Sequence, residues 1–80
     1  MEQRDDARRN NRSTGVVKFF DNAKGFGFIV DDDTGEDVFC HYRSIIGEGY
    51  KTMREGEVVE YLRVSSAKGW QAAEVERRDQ

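Results

Sequence analysis

Aromatic side chains that could stack on flat ligands recur at a two-residue spacing in this sequence. Phe26 and Phe28 form one such pair, and Phe39 and His41 form another. Because successive side chains of a β-strand point to opposite faces, the members of each pair share a face of their strand. Aromatic rings with cations beside them suit unpaired bases, since rings contact the bases and cations contact the phosphates. The spacing therefore indicates a surface for single-stranded nucleic acid.

Apolar side chains occupy the alternate positions of the same two segments. Ile29, Val38 and Cys40 are out of phase with the rings and predict the inner face of a sheet. Cys40 is the only cysteine, so no intrachain disulfide can form, and we expect a buried, unreactive thiol. His41 is the only histidine, and alone it builds neither a metal site nor a catalytic dyad.

The formal net charge of −3 opposes the binding of a polyanion when it is averaged over the whole chain. Binding depends on the local field at the contact surface, however, and Lys18, Lys24 and Lys68 flank the aromatic residues in the sequence. Much of the acid lies elsewhere, including the run at 31–33, which predicts a turn. We therefore expect modest affinity for single strands and little attraction to duplex DNA.

Five short β-strands separated by turn residues must position these side chains. The charged segment 1–14 lacks apolar periodicity and predicts a flexible tail, whereas residues 15–78 form one domain. We predict strands at 15–20, 26–31, 37–41, 57–64 and 70–76, and one helical turn at 42–45. Without a long helix, this pattern predicts an all-β antiparallel barrel, because closing the sheet removes exposed strand edges.

Several classes of protein are disfavoured. Residues 1–14 contain no apolar stretch of a secretory signal, and no apolar run in the chain reaches the length of a membrane span. We expect a cytoplasmic protein without membrane association. In a small barrel that lacks paired catalytic groups, we expect no enzyme activity, no small-molecule substrate, no cofactor and no metal.

Four segments of the chain resemble, in order, motifs of the bacterial cold-shock proteins. KFFDNAKGFGFI at 18–29 resembles the RNP1-like motif of that family, and VFCHY at 38–42 resembles the RNP2-like motif. GEGYKT at 47–52 and GWQAAEV at 69–75 resemble a later loop and the closing segment. The resemblance implies a five-stranded OB-type Greek-key barrel that binds single-stranded RNA and DNA with little sequence preference.

The chain departs from the family pattern at two aromatic positions. Phe19 stands where the family usually has tryptophan, so a smaller ring and a weaker stacking site are expected there. Trp70 stands where the family usually has proline, and its indole could supply the lost stacking surface on the neighbouring strand. Phe19 is expected to face the ligand with Phe20 partly buried, although a β-bulge could expose both.

The candidate contacts to nucleic acid combine rings from the two motifs with nearby cations and one acid. They are Lys18, Phe19, Phe20, Lys24, Phe26, Phe28, Asp37, Phe39, His41, Tyr42, Tyr50, Lys68 and Trp70. Asp37 either accepts a hydrogen bond from a base edge or caps a turn. Tyr42 and Tyr50 are divided between core and binding surface, whereas Tyr61 is expected in the core.

The resemblance implies an RNA chaperone that keeps single strands unpaired, acting as a monomer. Two alternatives remain open at this point. Single-stranded DNA could be the principal target, in a role that modulates replication, because a stacking surface does not read the 2′-hydroxyl by itself. An OB-type barrel could instead bind a peptide on its aromatic face and serve as a protein-interaction module.

Overall fold

The computed structural model describes residues 12–47 and 52–78, and every structural statement here concerns that part of the chain. Five strands form a closed barrel in the order β1-β2-β3-β5-β4, and the predicted all-β barrel is confirmed. The strands are β1 (Arg12–Asp21), β2 (Phe26–Asp31), β3 (Asp37–His41), β4 (Val58–Ser66) and β5 (Gly69–Arg77). A single 3₁₀ turn, Tyr42–Ser44, follows β3 at the position where a helical turn was predicted.

Four of the five seams of the barrel are antiparallel, and the fifth is parallel. β1, β2 and β3 form a meander, while β4 pairs with both β1 and β5. The barrel closes through a parallel contact between β3 and β5, in which Phe39 pairs with Gln71. A second parallel bridge joins Ile45 to Val75 just beyond β3. The barrel is therefore antiparallel except at this seam.

The first strand begins earlier than the sequence indicated. Residues 12–14, which were assigned to the tail, pair with β4 through contacts such as Arg12 with Leu62 and Thr14 with Glu60. These residues lack apolar alternation, but a partner strand requires only their backbone donors and acceptors. The bounds of β2 and β3 agree with the prediction, while β4 and β5 each shift by one or two residues at their ends. Residues 1–11 of the predicted tail lie outside the described residues.

The core lies inside the barrel and includes the residues that the sequence analysis predicts to point inward. Ile29, Val38, Cys40 and Tyr61 are completely buried. The remaining buried apolar residues are Val17, Ile45, Met53, Val59, Ala72 and Val75. Along β2 and β3, buried and half-exposed or exposed residues alternate strictly, so one face of each strand belongs to the core and the other carries the rings.

Candidate nucleic-acid interface

A β-bulge in β1 decides which of two adjacent phenylalanines faces outward. Val17 pairs with Ile29 and Phe19 with Phe28, so Lys18 is the extra residue of β1. Without the bulge, the alternation that buries Val17 would also bury Phe19. The extra residue reverses the phase, and Phe19 is 38% exposed while Phe20 packs against the core. The predicted orientation of this pair is confirmed, and the bulge exposes only one of the two rings.

Gly27 provides the space that Phe20 occupies. A Cβ atom at Gly27 would lie 2.6 Å from the Phe20 Cα and 2.7 Å from its ring. Since real Cβ atoms do not approach other heavy atoms so closely, only glycine permits β1 and β2 to pair here with Phe20 turned inward. Gly27 thus permits the close pairing of β1 and β2 that turns Phe20 inward and Phe19 outward.

The outward rings of β1, β2 and β3 form a continuous cluster. The ring centroids of Phe19 and Phe28 are 5.7 Å apart, as are those of Phe28 and Phe39. Phe26 and Phe39 follow at 5.8 Å. The tilted and edge-on angles of these pairs leave parts of several ring faces turned toward solvent. We call Phe19, Phe26, Phe28, Phe39, His41 and Tyr42 the aromatic platform.

His41 and Tyr42 extend the platform beyond the end of β3. His41 pairs with Phe26 across the sheet, and its ring stacks on Tyr42 with centroids 4.7 Å apart. His41 Nδ1 accepts a hydrogen bond from the backbone N–H of Arg43 at 3.1 Å. This bond orients the imidazole and leaves Nε2 to carry the proton of the neutral ring. Tyr42 is 41% exposed and packs its ring over Gly25, where a Cβ would clash with it.

The predicted cations lie at the margins of the platform. Lys18, at the bulge, forms an ion pair with Asp37 at 3.2 Å, and both side chains are about half exposed. Asp37 thus contacts a cation at the start of β3 and does not cap a turn. Lys24 is exposed in the turn between β1 and β2, and Lys68 is exposed in the turn between β4 and β5. Tyr50, also a predicted contact, lies outside the described residues.

A groove of about 280 Å³ adjoins the platform on the β5 side. Its walls are formed by Phe28, Phe39, Ser66, Lys68, Trp70 and Gln71. The structure therefore places Trp70 and Lys68 in one groove with Phe28 and Phe39, although the two pairs lie far apart in the sequence. Trp70 is half-buried and packs against the core as well as lining the groove. The groove combines aromatic side chains with an ammonium and a carboxamide, which suits a flat heterocycle with polar edges.

Gln71 and Ser66 line the groove but were not among the predicted contacts. Gln71 reaches it because β5 closes the barrel beside Phe39, and the alternation of residues within β5 alone carries no information on that pairing. Ser66 Oγ donates to the carbonyl of Gly69 at 2.7 Å and accepts from the backbone of Lys68. It therefore supports the turn that carries Lys68, and the carboxamide of Gln71 is the additional polar group of the groove.

The geometry defines a small β-barrel that exposes aromatic rings on one face, and comparison with known proteins assigns its family. The family described as "'Cold-shock' DNA-binding domain" matches residues 13–78. The chain is 50% identical over 66 residues to the cold shock-like protein CspG of Shewanella violacea, covering 82% of this chain and 94% of that protein. It is 49% identical over 67 residues to the major cold shock protein CspA of Pseudomonas aeruginosa, covering 84% and 96%. The chain belongs to the cold-shock domain family of nucleic-acid-binding proteins, and the resemblance inferred from its motifs is confirmed.

A solved structure confirms the fold at low sequence identity. A chain described as drosophila Unr CSD456 superposes with a TM-score of 0.74 at 15% identity. The match covers 99% of this chain and 32% of that one. Within the described residues, no helix is both long and apolar enough to span a membrane.

Proposed function

We propose that this protein binds single-stranded RNA and DNA on the aromatic platform and acts as a nucleic-acid chaperone. The observation that carries this proposal is the unbroken series of outward rings from Phe19 through Phe28 and Phe39, with centroid spacings of 5.7 Å. Stacking a base on one exposed ring contributes about 1–3 kcal/mol, so a few occupied rings provide useful affinity. Because every base has an aromatic face, such binding depends little on sequence.

The mechanism requires binding alone. A protein that binds the unpaired form of a strand and not the paired form shifts the equilibrium toward the unpaired form by mass action. No bond is made or broken, and neither an enzyme activity nor a cofactor is needed. RNA held open in this way remains accessible to other factors, and fast exchange keeps the protein from blocking them.

The proposed contacts divide by chemistry. The rings of the platform and Trp70 stack on bases, while Lys24 and Lys68 contact phosphates at the margins. Lys18 is held by Asp37 in the free protein, and in the complex the Asp37 carboxylate accepts from a base edge while Lys18 contacts a phosphate. Phe20 supports Phe19 from the core side. The protein is proposed to act as a cytoplasmic monomer.

The first test is a titration of fluorescently labelled oligothymidine, read by anisotropy. We expect the wild-type protein to bind, and Phe28→Ala to weaken binding at least about fivefold, because Phe28 contacts the rings on both sides and its loss removes about 1–3 kcal/mol of stacking. Val58→Ala is the matched control, since Val58 is 44% exposed at the start of β4 and does not line the groove. Equal affinity of the wild type and Phe28→Ala would contradict the proposal.

Single-stranded DNA as the principal target is the second candidate, and the description of the family as DNA-binding favours it. RNA and DNA oligomers of matched sequence and length discriminate the two. Similar affinities, together with opening of a fluorophore-quencher RNA hairpin at saturating protein, support the chaperone. Selective binding of DNA without opening of the hairpin supports a role on single-stranded DNA. Absence of binding to either would favour the peptide-binding alternative.

A further inference from the structure

A charged side chain is buried at the end of β2, close to the groove. Asp31 is 1% exposed, and Tyr61, which is completely buried, donates its hydroxyl hydrogen to Asp31 Oδ1. The other carboxylate oxygen accepts from the backbone N–H groups of Asp33 and Thr34, each at 3.1 Å. Arg63 Nη1 lies 3.4 Å from this same oxygen, Oδ2. The carboxylate is therefore surrounded by donors, one of which is a guanidinium.

These donors keep Asp31 charged in spite of its position. Burial by itself would raise the pKa of the carboxyl group, but the hydrogen bonds from Tyr61 and the turn and the charge of Arg63 outweigh burial, and the pKa is lowered. A charged Asp31 gives the guanidinium of Arg63 a fixed partner. Because Tyr61 and the turn at residues 33–34 hold Asp31, its carboxylate offers Arg63 a partner at a defined position.

The same guanidinium lies over the indole of Trp70. Arg63 Cζ is 4.7 Å from the centroid of the Trp70 ring, within the range of a cation–π contact. Trp70 in turn lines the groove together with Phe28 and Phe39. A contiguous series of contacts thus leads from the buried carboxylate through Arg63 to the groove, although Arg63 itself does not line it.

We propose that Arg63, anchored by Asp31, is a positioning residue that holds the Trp70 indole as one wall of a site for a single unpaired nucleobase. Phe28, Phe39, Gln71 and Lys68 line this site together with Trp70. The inference rests on the proposed function, because the base belongs to a bound single strand. An indole that is already oriented loses less conformational freedom when a base stacks on it, and preorganisation of this kind raises affinity.

Direct contact between Arg63 and the nucleic acid is the rival explanation, since its side chain is 29% exposed. A double-mutant cycle separates the two roles. Affinity for labelled oligothymidine is measured for the wild type, Arg63→Met, Trp70→Leu and the double variant. Positioning through Trp70 predicts that Arg63→Met weakens binding about fivefold in the wild-type background and less than twofold in the Trp70→Leu background. Equal losses in both backgrounds, or no loss in either, would overturn the proposal.

The orientation of Trp70 is read directly in the absence of ligand. We expect Arg63→Met to lower the fluorescence anisotropy of Trp70 and to raise its quenching by acrylamide, because the indole loses the contact that holds it. Arg63→Lys, which keeps the charge but lacks a planar group to stack, is expected to give an intermediate effect. If Arg63→Met does not fold, Arg63→Lys carries the same cycle. Unchanged anisotropy and quenching in the folded variant would contradict the proposal.

Arg12→Ala serves as the control for general destabilisation. It removes the hydrogen bond from Arg12 to the backbone carbonyl of Glu74 and leaves Asp31, Arg63 and Trp70 in place, so it should lower the melting temperature and change oligothymidine affinity by less than twofold. The outcomes also distinguish the two proposals. If the wild type does not bind oligothymidine, the proposed function fails. If Phe28→Ala abolishes binding while Arg63→Met and Trp70→Leu act additively, the function stands and the role of Arg63 fails.

Discussion

The position of each residue in the alternation along its strand determines whether its side chain faces the core or the outside of the barrel. Phe39 and Cys40 are neighbours in sequence, yet the ring of Phe39 belongs to the platform and the thiol of Cys40 to the core. Their roles follow from the alternation of side chains along β3. A substitution of Phe39 therefore tests the platform, whereas a thiol reagent tests the burial of Cys40.

Cys40 is expected to resist thiol reagents in the folded protein. Burial raises the pKa of its thiol to about 12, so the reactive thiolate is scarce near neutral pH and the sulfur is also inaccessible. The thiol of the unfolded chain ionises near pH 9. The contribution of Cys40 to the free energy of unfolding is therefore fully present below pH 9 and is lost as the pH rises from about 9 toward 12. Labelling with Ellman's reagent should be slow in buffer and rapid in denaturant. Rapid labelling of the folded protein would contradict the buried position.

Asp31 is expected to make the protein sensitive to acid. Its pKa is lower in the folded protein than in the unfolded chain, so it stabilises the fold at pH values above its ordinary pKa. That stabilisation is lost as the pH falls below about 4 and passes through the lowered pKa of the folded state. Urea unfolding as a function of pH measures this loss.

Asp31→Asn is the matched variant for that experiment. It should be less stable at pH 7 by about 2 kcal/mol, because the charge-assisted hydrogen bonds of the carboxylate are weakened. Its free energy of unfolding should also change less between pH 4 and pH 2 than that of the wild type. Parallel pH profiles for the two proteins would show that Asp31 does not titrate differently in the folded state.

At the scale of the elements, two β-bulges determine which side chains of β1 and β5 face inward. The first, at Lys18 in β1, turns Phe19 outward and Phe20 inward. The second lies in β5, where Glu74 and Val75 together oppose Tyr61 of β4. Glu74 adopts a φ of 51°, a left-handed conformation that is uncommon for a residue with a side chain. A side chain from another strand donates a hydrogen bond to the backbone carbonyl of Glu74.

That contact comes from Arg12, at the beginning of β1. Its guanidinium donates to the backbone carbonyl of Glu74 at 2.9 Å and lies 3.3 Å from the carboxylate of Glu60. We expect Arg12→Ala to lower the free energy of unfolding by about 1–2 kcal/mol, because hydrogen bonds from a half-buried charged donor are lost. Chemical denaturation measures the effect.

Arg78→Ala is the control for Arg12→Ala. Arg78 lies 3.9 Å from Glu60 and its side chain is 52% exposed, so its removal should change stability by no more than about 0.5 kcal/mol. Equal effects of the two substitutions would mean that Arg12 contributes only general surface charge. Since Arg12 pairs with Leu62, a shortened chain intended to retain the whole of β1 must begin no later than residue 12.

At the scale of the whole molecule, the proposed binding surface belongs to an acidic protein. The net charge is −3, and one of the cations beside the platform, Lys18, is paired with Asp37. Under the proposed function, few of the predicted cations would be available for phosphates, and stacking would supply most of the affinity. Such a balance would suit rapid exchange among many single strands, because the protein lacks the long-range attraction of a strongly basic binder.

The salt dependence of binding tests this balance. With about four phosphate contacts or fewer, the slope of log K against log salt should be no steeper than about −3 for a single strand. Deleting residues 1–11 should leave the slope unchanged, because their three arginines are matched by three acids. A slope that becomes shallower by one or more after the deletion would show that tail arginines contact phosphate.

The sequence by itself determined the two faces of β2 and β3, the number of strands and the rings of the two motifs, because these follow from local alternation and turn residues. It also indicated Trp70 as a candidate contact, because it departs from a known motif at 69–75, and Lys68 as another, because it lies close to Trp70 in the sequence. Local alternation does not specify which strands become neighbours. The tertiary structure alone decided the pairing of Phe39 with Gln71, the groove beside it and the contact of Arg63 with Trp70. These features depend on closure of the barrel and on bulges, where one extra residue reverses the face of every side chain that follows.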